Sequence, residues 1–251
     1  MKEIFNEIID TIENDDLRTF VVEKCLPTIP DWFWIAPAAS SGRYHPKTSL
    51  GEGGLSRHTV ALCRILNYML EIDGVGNEFT SREKDLMRIA GLMHDTRKSG
   101  SQEDYENNKQ TKFNHPLLAA EVIRGLDGIS NTEKDILCGI IASHMGQFNT
   151  NAKCPDIVLP KPKTKCELLV HLADYISSRK DVEIQVGTMP AESHHTSDPP
   201  QLSSWKFSFG KYSGKTIPEV YEIDSGYIIW AKSNMEKEPA RLLLKEFEIV
   251  K

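Results

Sequence analysis

The chain has no apolar run long enough to span a membrane and no secretory signal at its start. Met1-Lys2-Glu3-Ile4-Phe5 reads as the opening of an amphipathic helix, not as a targeting segment, so a cytoplasmic protein with no membrane partner is expected. Cysteine is scarce and badly placed for a scaffold. The five residues Cys25, Cys63, Cys138, Cys154 and Cys166 are odd in number and lack tight spacing, which argues against a disulfide framework and against a cysteine zinc site. Cys63, Cys138 and Cys166 lie inside apolar helical runs and read as buried thiols. A basic excess is also missing: the net charge is −6, which disfavours a bulk electrostatic grip on nucleic acid while leaving room for a local basic patch. No internal repeat is visible.

What remains is an ordinary globular composition, 39% apolar and 26% charged over 251 residues. That length suits one full domain with a small appendage, and its core can be large enough to fold without a structural metal. Residues 2–25 carry two short amphipathic runs with a break and N-cap at Asn14-Asp15-Asp16. Pro27 to Gly54 is irregular and contains Trp32-Phe33-Trp34, which reads either as a plug at a core edge or as a wall of a site. Helical periodicity then predicts helices over about Ser56–Glu71 and from Ser81 to His94-Asp95. Three more are expected: one from Asn114-His115-Pro116 with Asn114 as N-cap, one from Asn131 to Gly146, and one over about Lys165–Arg179. The polar stretch 99–112 reads as a surface loop.

Several polar residues break the apolar faces of these helices. His58 lies on one, and taken alone it is an ordinary core histidine. His94-Asp95 ends another, with Lys98 three residues beyond. Glu167, His171, Asp174 and Ser178 are spaced four, three and four apart and form a polar line on an otherwise apolar helix. Such a line needs a metal or a hydrogen-bond network to satisfy it. Imidazole nitrogens and carboxylate oxygens together suit an open centre holding Mn, Fe, Zn, Ni or Co, and helices can bring such donors into one bundle core.

The order of these motifs resembles the HD-domain metal-dependent phosphohydrolase superfamily, whose signature is a lone His, a His-Asp pair and a distant Asp. Gly53-Gly54-Leu55-Ser56-Arg57-His58-Thr59 is similar to the family's GGLxxHT opening, and His94-Asp95-Thr96-Arg97-Lys98 resembles HDxGK, with Arg97 where Gly is usual. Within the superfamily the chain resembles most the HD domain of YhaM-type 3′–5′ exoribonucleases. This rests on Phe33, Pro37-Ala38-Ala39, His45, Ser143-His144-Met145-Gly146 and the His171/Asp174 spacing.

The resemblance implies a mainly α fold, an HD-domain helical bundle over 1–186. It implies two divalent transition-metal ions, Mn²⁺ or Fe²⁺, with Ni²⁺, Co²⁺, Zn²⁺ and Mg²⁺ as alternatives. His58, His94, Asp95 and Asp174 would hold one ion, and Asp95 would bridge to a second held by His115 and His144. The catalytic candidates are Asp95, with Lys98 and Arg179 as phosphate partners and His171 as an orienting group. Arg97 is expected to narrow the approach or to add a phosphate contact.

After an expected linker over 187–204, which includes His194-His195, the tail changes character. Residues 205–217 read as a β-hairpin, followed by short helices over Ile217–Ile223, Tyr227–Ser233 and Glu236–Glu246, a small α+β appendage. Phe209-Gly210-Lys211-Tyr212-Ser213-Gly214-Lys215 with Tyr227, Ile228 and Trp230 resembles the C-terminal module of exodeoxyribonuclease X-type exonucleases. That resemblance implies contact with a single strand through aromatics, Lys211 and Lys215. However, residues 205–251 hold eight Lys/Arg against seven Asp/Glu, so no strong basic field accompanies it. The expected activity is metal-dependent phosphodiester hydrolysis, a 3′–5′ exonuclease acting on single-stranded nucleic acid. Alternatives are a nucleotide or cyclic-nucleotide phosphohydrolase and, from another reaction class, a diiron HD-type oxygenase.

Overall fold

A computed structural model describes residues 2–39, 45–107, 111–182, 184, 206–207, 211–234, 244 and 247. The chain divides into two compact units, Met1–Gly187 and Thr188–Lys251. The expected linker over 187–204, with His194-His195, lies outside the described residues, as does all of 236–246 except Leu244.

The first unit is helical. α1 (Asn6–Ile9) and α2 (Asp15–Phe20) are followed by a π-helical turn at Val21–Cys25 and short 3-10 turns, and then by α3 (Gly54–Glu71), α4 (Ser81–Met93) and α5 (Gln102–Asn107). α6 (His115–Gly125), α7 (Asn131–Ser143) and α8 (Lys165–Ser177) complete it. α3 packs on α4 and α8, α7 packs on α4, α6 and α8, and α4 also meets α8. The apolar positions predicted from periodicity fill the shared core, among them Leu55, Leu62, Leu86, Ile89, Leu137, Ile141 and Val170. Burying each such side chain contributes about 1.5–3 kcal/mol.

Capping places the helix starts. Thr80, Ser130 and Thr164 each accept from the backbone N–H three residues on, and Glu83, Glu133 and Glu167 reach back to complete the box. Thus α7 is capped by Ser130, just ahead of Asn131. Asn114 makes no side-chain cap, nor does Asn14. Asn14 instead donates to the buried Asp85, which also accepts from the backbone N–H groups of Glu13 and Asn14 and from Arg88. This network fastens the N-terminal segment to α4. The stretch 99–112 is not wholly loop, because Ser101 and Asp104 exchange side-chain-to-backbone bonds that start α5.

Trp32, Phe33 and Trp34 are all buried, and Phe5 packs against both Phe33 and Trp34. The aromatic stretch is therefore a core plug, and the residues just after it take a second role at the site. Gly54 permits this. A Cβ there would lie 2.2 Å from the Ser49 carbonyl oxygen, so only glycine lets α3 begin against that strand of loop. Arg57 then ties the loop down by donating to the carbonyls of Thr48, Leu50 and Glu52.

In the second unit, α9 (Ile217–Ile223) and α10 (Ser225–Asn234) follow a chain reversal. Among the described residues the expected hairpin is reduced to one antiparallel bridge, Lys206 with Thr216, flanked by bonds between Phe207 and the backbone of Gly214 and Lys215. Phe207, Tyr212, Ile217, Val220 and Ile228 form its own small core. The Tyr212 hydroxyl donates to Asp224. Of the aromatics expected to meet a strand, Tyr212 is thus taken up by folding, while Trp230 is 53% exposed.

Candidate metal centre

The donors sit at helix ends and on two helix faces, where the backbone fixes their direction. His58 projects from α3, while His94 and His144 are the C-cap residues of α4 and α7. His115 is the first residue of α6, and His171 and Asp174 come from α8. Asp95 lies between them all. Its Oδ1 is 3.0 Å from His115 Nε2 and 3.7 Å from His144 Nε2, and its Oδ2 is 3.4 Å from His94 Nε2 and 3.9 Å from His58 Nε2. Asp174 Oδ1 is 3.1 Å from His58 Nε2 and 3.8 Å from His94 Nε2. All five sequence-predicted residues around Asp95 are therefore brought together.

The tautomers follow from the hydrogen bonds. Nδ1 of His94, His115 and His144 each lies 2.7 Å from the carbonyl oxygen three residues earlier, Gly91, Lys112 and Ile141 respectively. In its neutral form each ring therefore carries its proton on Nδ1 and presents an Nε2 lone pair inward, the orientation a metal ligand needs. Nε2 of His115 and His144 are 3.3 Å apart. Two lone pairs facing each other at that distance repel unless a proton or cation is shared. His94 Nε2 and Asp95 Oδ1 are buried with no directed hydrogen-bond partner. Leaving such groups unsatisfied costs about 1–3 kcal/mol each. These buried donors fit divalent cations, and the described residues contain three overlapping sets able to hold one: His58/His94/Asp95, His94/His144/Asp174 and Asp95/His115/His144.

The electrostatics agree. Burial alone would lift the Asp95 carboxyl, but Lys98 and His94, with His115, hold it well below the usual carboxylate range. Asp174 is also held low, its burial outweighed by the His58 hydrogen bond and the charge of His94. Burial, then His94 and His115, push His144 down to about 3, which keeps it neutral. His94 is raised, because Asp95 outweighs the effect of its burial.

The centre opens into a cleft of about 570 Å³. Lys98, His171 and Arg179 line it with Asp95, His115, His144 and Asp174. Lys98 Nζ is 2.5 Å from Asp95 Oδ2. His171 Nδ1 donates to the His144 carbonyl at 2.7 Å, and Arg179 donates through Nε to the Tyr175 carbonyl. Glu167, grouped with them on the sequence stripe, does not reach the site, since it closes the α8 capping box. Arg97 does not approach it either. Its guanidinium donates to the carbonyls of Thr28 and Thr96, so it braces the N-terminal segment and neither narrows the cleft nor faces a phosphate.

Residues outside the predicted set also line the cleft, among them His45, Phe148 and Tyr175. The ring of His45 lies 5.5 Å from that of His58. Its Nδ1 is buried without a partner, and burial, with Lys98 and His58, pushes its pKa down to about 4. In the sequence His45 counts toward the family resemblance but carries no expected role at the site.

Comparison with known proteins agrees with this geometry. The family model for the HD domain matches residues 55–179, which includes every donor described above. The model for the exodeoxyribonuclease X-like C-terminal region matches residues 207–236. No curated protein and no solved structure matches the chain. No helix among the described residues is long and apolar enough to cross a membrane. With donors, spacing and family model in agreement, the chain belongs to the HD-domain family of metal-dependent phosphohydrolases and carries an exodeoxyribonuclease X-like C-terminal module.

Proposed function

We propose that this protein is a metal-dependent phosphodiesterase that removes nucleotides from the 3′ end of single-stranded nucleic acid. The observation that carries the reading is the joint presence, in one chain, of six converging N/O donors at an open cleft and an exonuclease-type module downstream. His58, His94, Asp95 and Asp174 would hold one ion, with Asp95 bridging to a second on His115 and His144. The donor chemistry suits Mn, Fe, Zn, Ni or Co, and the family resemblance favours Mn²⁺ or Fe²⁺ among them. When bound, such ions supply Lewis acidity at phosphoryl oxygens and lower the pKa of a coordinated water.

The remaining work falls to the chain's own side chains. Lys98, beside Asp95 at the cleft, donates to a phosphoryl oxygen. Arg179 adds a second cation on the cleft wall. His171, held by the His144 carbonyl, orients a water or a ligand. Lys211, whose side chain is 72% exposed, and Trp230 are the groups of the C-terminal module placed to meet a strand by charge and stacking.

The acidic net charge and the modest cleft favour a second reading, a nucleotide or cyclic-nucleotide phosphohydrolase. A substrate panel separates the two. Labelled single-stranded RNA and DNA, cyclic nucleotides and nucleoside phosphates are incubated with the protein and Mn²⁺. Stepwise shortening from the 3′ end is expected, and deleting residues 205–251 should weaken polymer binding without changing turnover of a mononucleotide ester. Activity confined to nucleotides defeats the nuclease reading, and oxygen-dependent turnover without phosphoester hydrolysis defeats both.

A further inference from the structure

The cleft is larger than a phosphate requires, and donors are not its whole lining. Apolar and aromatic side chains, Met145, Phe148 and Tyr175, line it as well. Phe148 is 48% exposed. Its plane lies within 12° of that of Tyr175, with centroids 6.4 Å apart, so a flat heterocycle that stacks on one ring is parallel to the other. The Arg179 guanidinium lies 4.2 Å over the Tyr175 ring and adds a cationic plane to the same wall.

We infer that Phe148 and Tyr175 form a nucleobase-stacking subsite for the nucleotide whose phosphate sits at the donor cluster. The inference deepens the proposed phosphohydrolase function and rests on it. Chain connectivity supports it: Tyr175 directly follows the donor Asp174, and Phe148 lies four residues after the donor His144. The loop carrying Phe148 is pinned, with the Phe148 N–H on the Met145 carbonyl and Asn149 and Leu159 bonded to each other twice. The rings are thus held in register with the phosphate site before substrate arrives. Stacking accepts any base, because every base offers a π face.

The test uses the full chain and two hydrolysis-resistant probes, the 5′-methylenephosphonates of adenosine and of ribose, with Mn²⁺ and calorimetric titration. The wild type should bind the adenosine probe on the order of tenfold more tightly than the ribose probe. Phe148→Ala should cut that preference to about twofold or less while leaving the ribose probe unchanged, Tyr175→Leu should cut the preference likewise, and Tyr175→Phe should keep it. Equal binding of both probes by the wild type, or a preference that survives both ring-removing variants, overturns the inference. A parallel hydrolysis assay keeps the two ideas apart. If no phosphoester is cleaved yet the base preference depends on the two rings, the phosphohydrolase reading falls and the stacking subsite stands.

Discussion

Replacing Gly146 with alanine adds one carbon atom where there is no room for it. The residue follows α7 with φ +55°, and a Cβ there would lie 2.1 Å from Cε1 and 2.3 Å from Nε2 of His171. The left-handed backbone alone costs an alanine roughly 1 kcal/mol. The ring must then leave the His144 carbonyl that it now holds at 2.7 Å. That bond is worth about 1 kcal/mol, and crowding a filled site adds roughly another 1 kcal/mol. A total of about 3 kcal/mol corresponds, for a chain of this size, to a fall in Tm of about 6–12 °C. Gly51 supplies the control. It has φ +68°, and a Cβ there would meet nothing within 4 Å, so Gly51→Ala keeps only the backbone cost. Its expected fall is about 2–4 °C. Differential scanning fluorimetry reads both variants, together with the double variant Gly146→Ala/His171→Ala, whose loss should be smaller than the sum of its parts. Metal analysis of Gly146→Ala should show weakened retention, since His171 braces the residue that carries a donor ring. Equal melting of the Gly146 and Gly51 variants would refute the reasoning, because it would mean that the His171 ring does not fill the space behind Gly146.

Three further outcomes are expected. Asp95→Ala should abolish phosphoester hydrolysis and reduce bound metal, by elemental analysis, from about two ions per chain; full activity would remove Asp95 from the centre. Arg97→Ala should leave turnover unchanged and lower stability by about 1 kcal/mol through the lost Thr28 bond, read by urea denaturation; a turnover defect with intact stability would restore Arg97 to the site. The third concerns pH. His144 is held down to about 3 by burial and by His94 and His115, against an ordinary value of 6.5. Its neutral state stabilises the metal-free fold fully above pH 6.5, and that contribution is lost as the pH falls from there toward about 3, because the unfolded chain takes up the proton first. His94, whose pKa is raised, acts in the opposite sense. Chelator-treated His144→Gln should therefore lose Tm less steeply than the wild type between about pH 7 and pH 4; identical slopes would sink the assignment.

Much of the site is readable because helices impose spacing. His58, His94-Asp95 and Asp174 interrupt apolar faces, and their order along the chain marks them where a single such histidine would not. The same spacing misleads at Glu167, since a capping box also places a carboxylate three residues after a threonine, here Thr164. Arg97 departs from expectation for a different reason. Its partner, the Thr28 carbonyl, is 69 residues away, and no local pattern encodes such a contact. α5 escapes the periodicity because it has no apolar stripe and is held by Ser101 and Asp104 at its start. Phe148 and Tyr175 look in the sequence like ordinary aromatics, one in a polar loop and one on a helix, and only folding sets their planes parallel.

The placement of His94 and His144 as C-caps has a consequence for the order of events. Two helices of 13 residues, α4 and α7, end at the cluster, and α8 ends three residues beyond Asp174. Each end carries the negative pole of its peptide dipoles. Without cations, a phosphate meets two carboxylates and three negative helix ends, opposed among the described cleft residues by Lys98, Arg179 and the positive N-terminal end of α6 at His115. The two carboxylates and the helix ends together therefore favour an order in which cations come first and the anionic substrate second, and substrate affinity should fall steeply on metal removal.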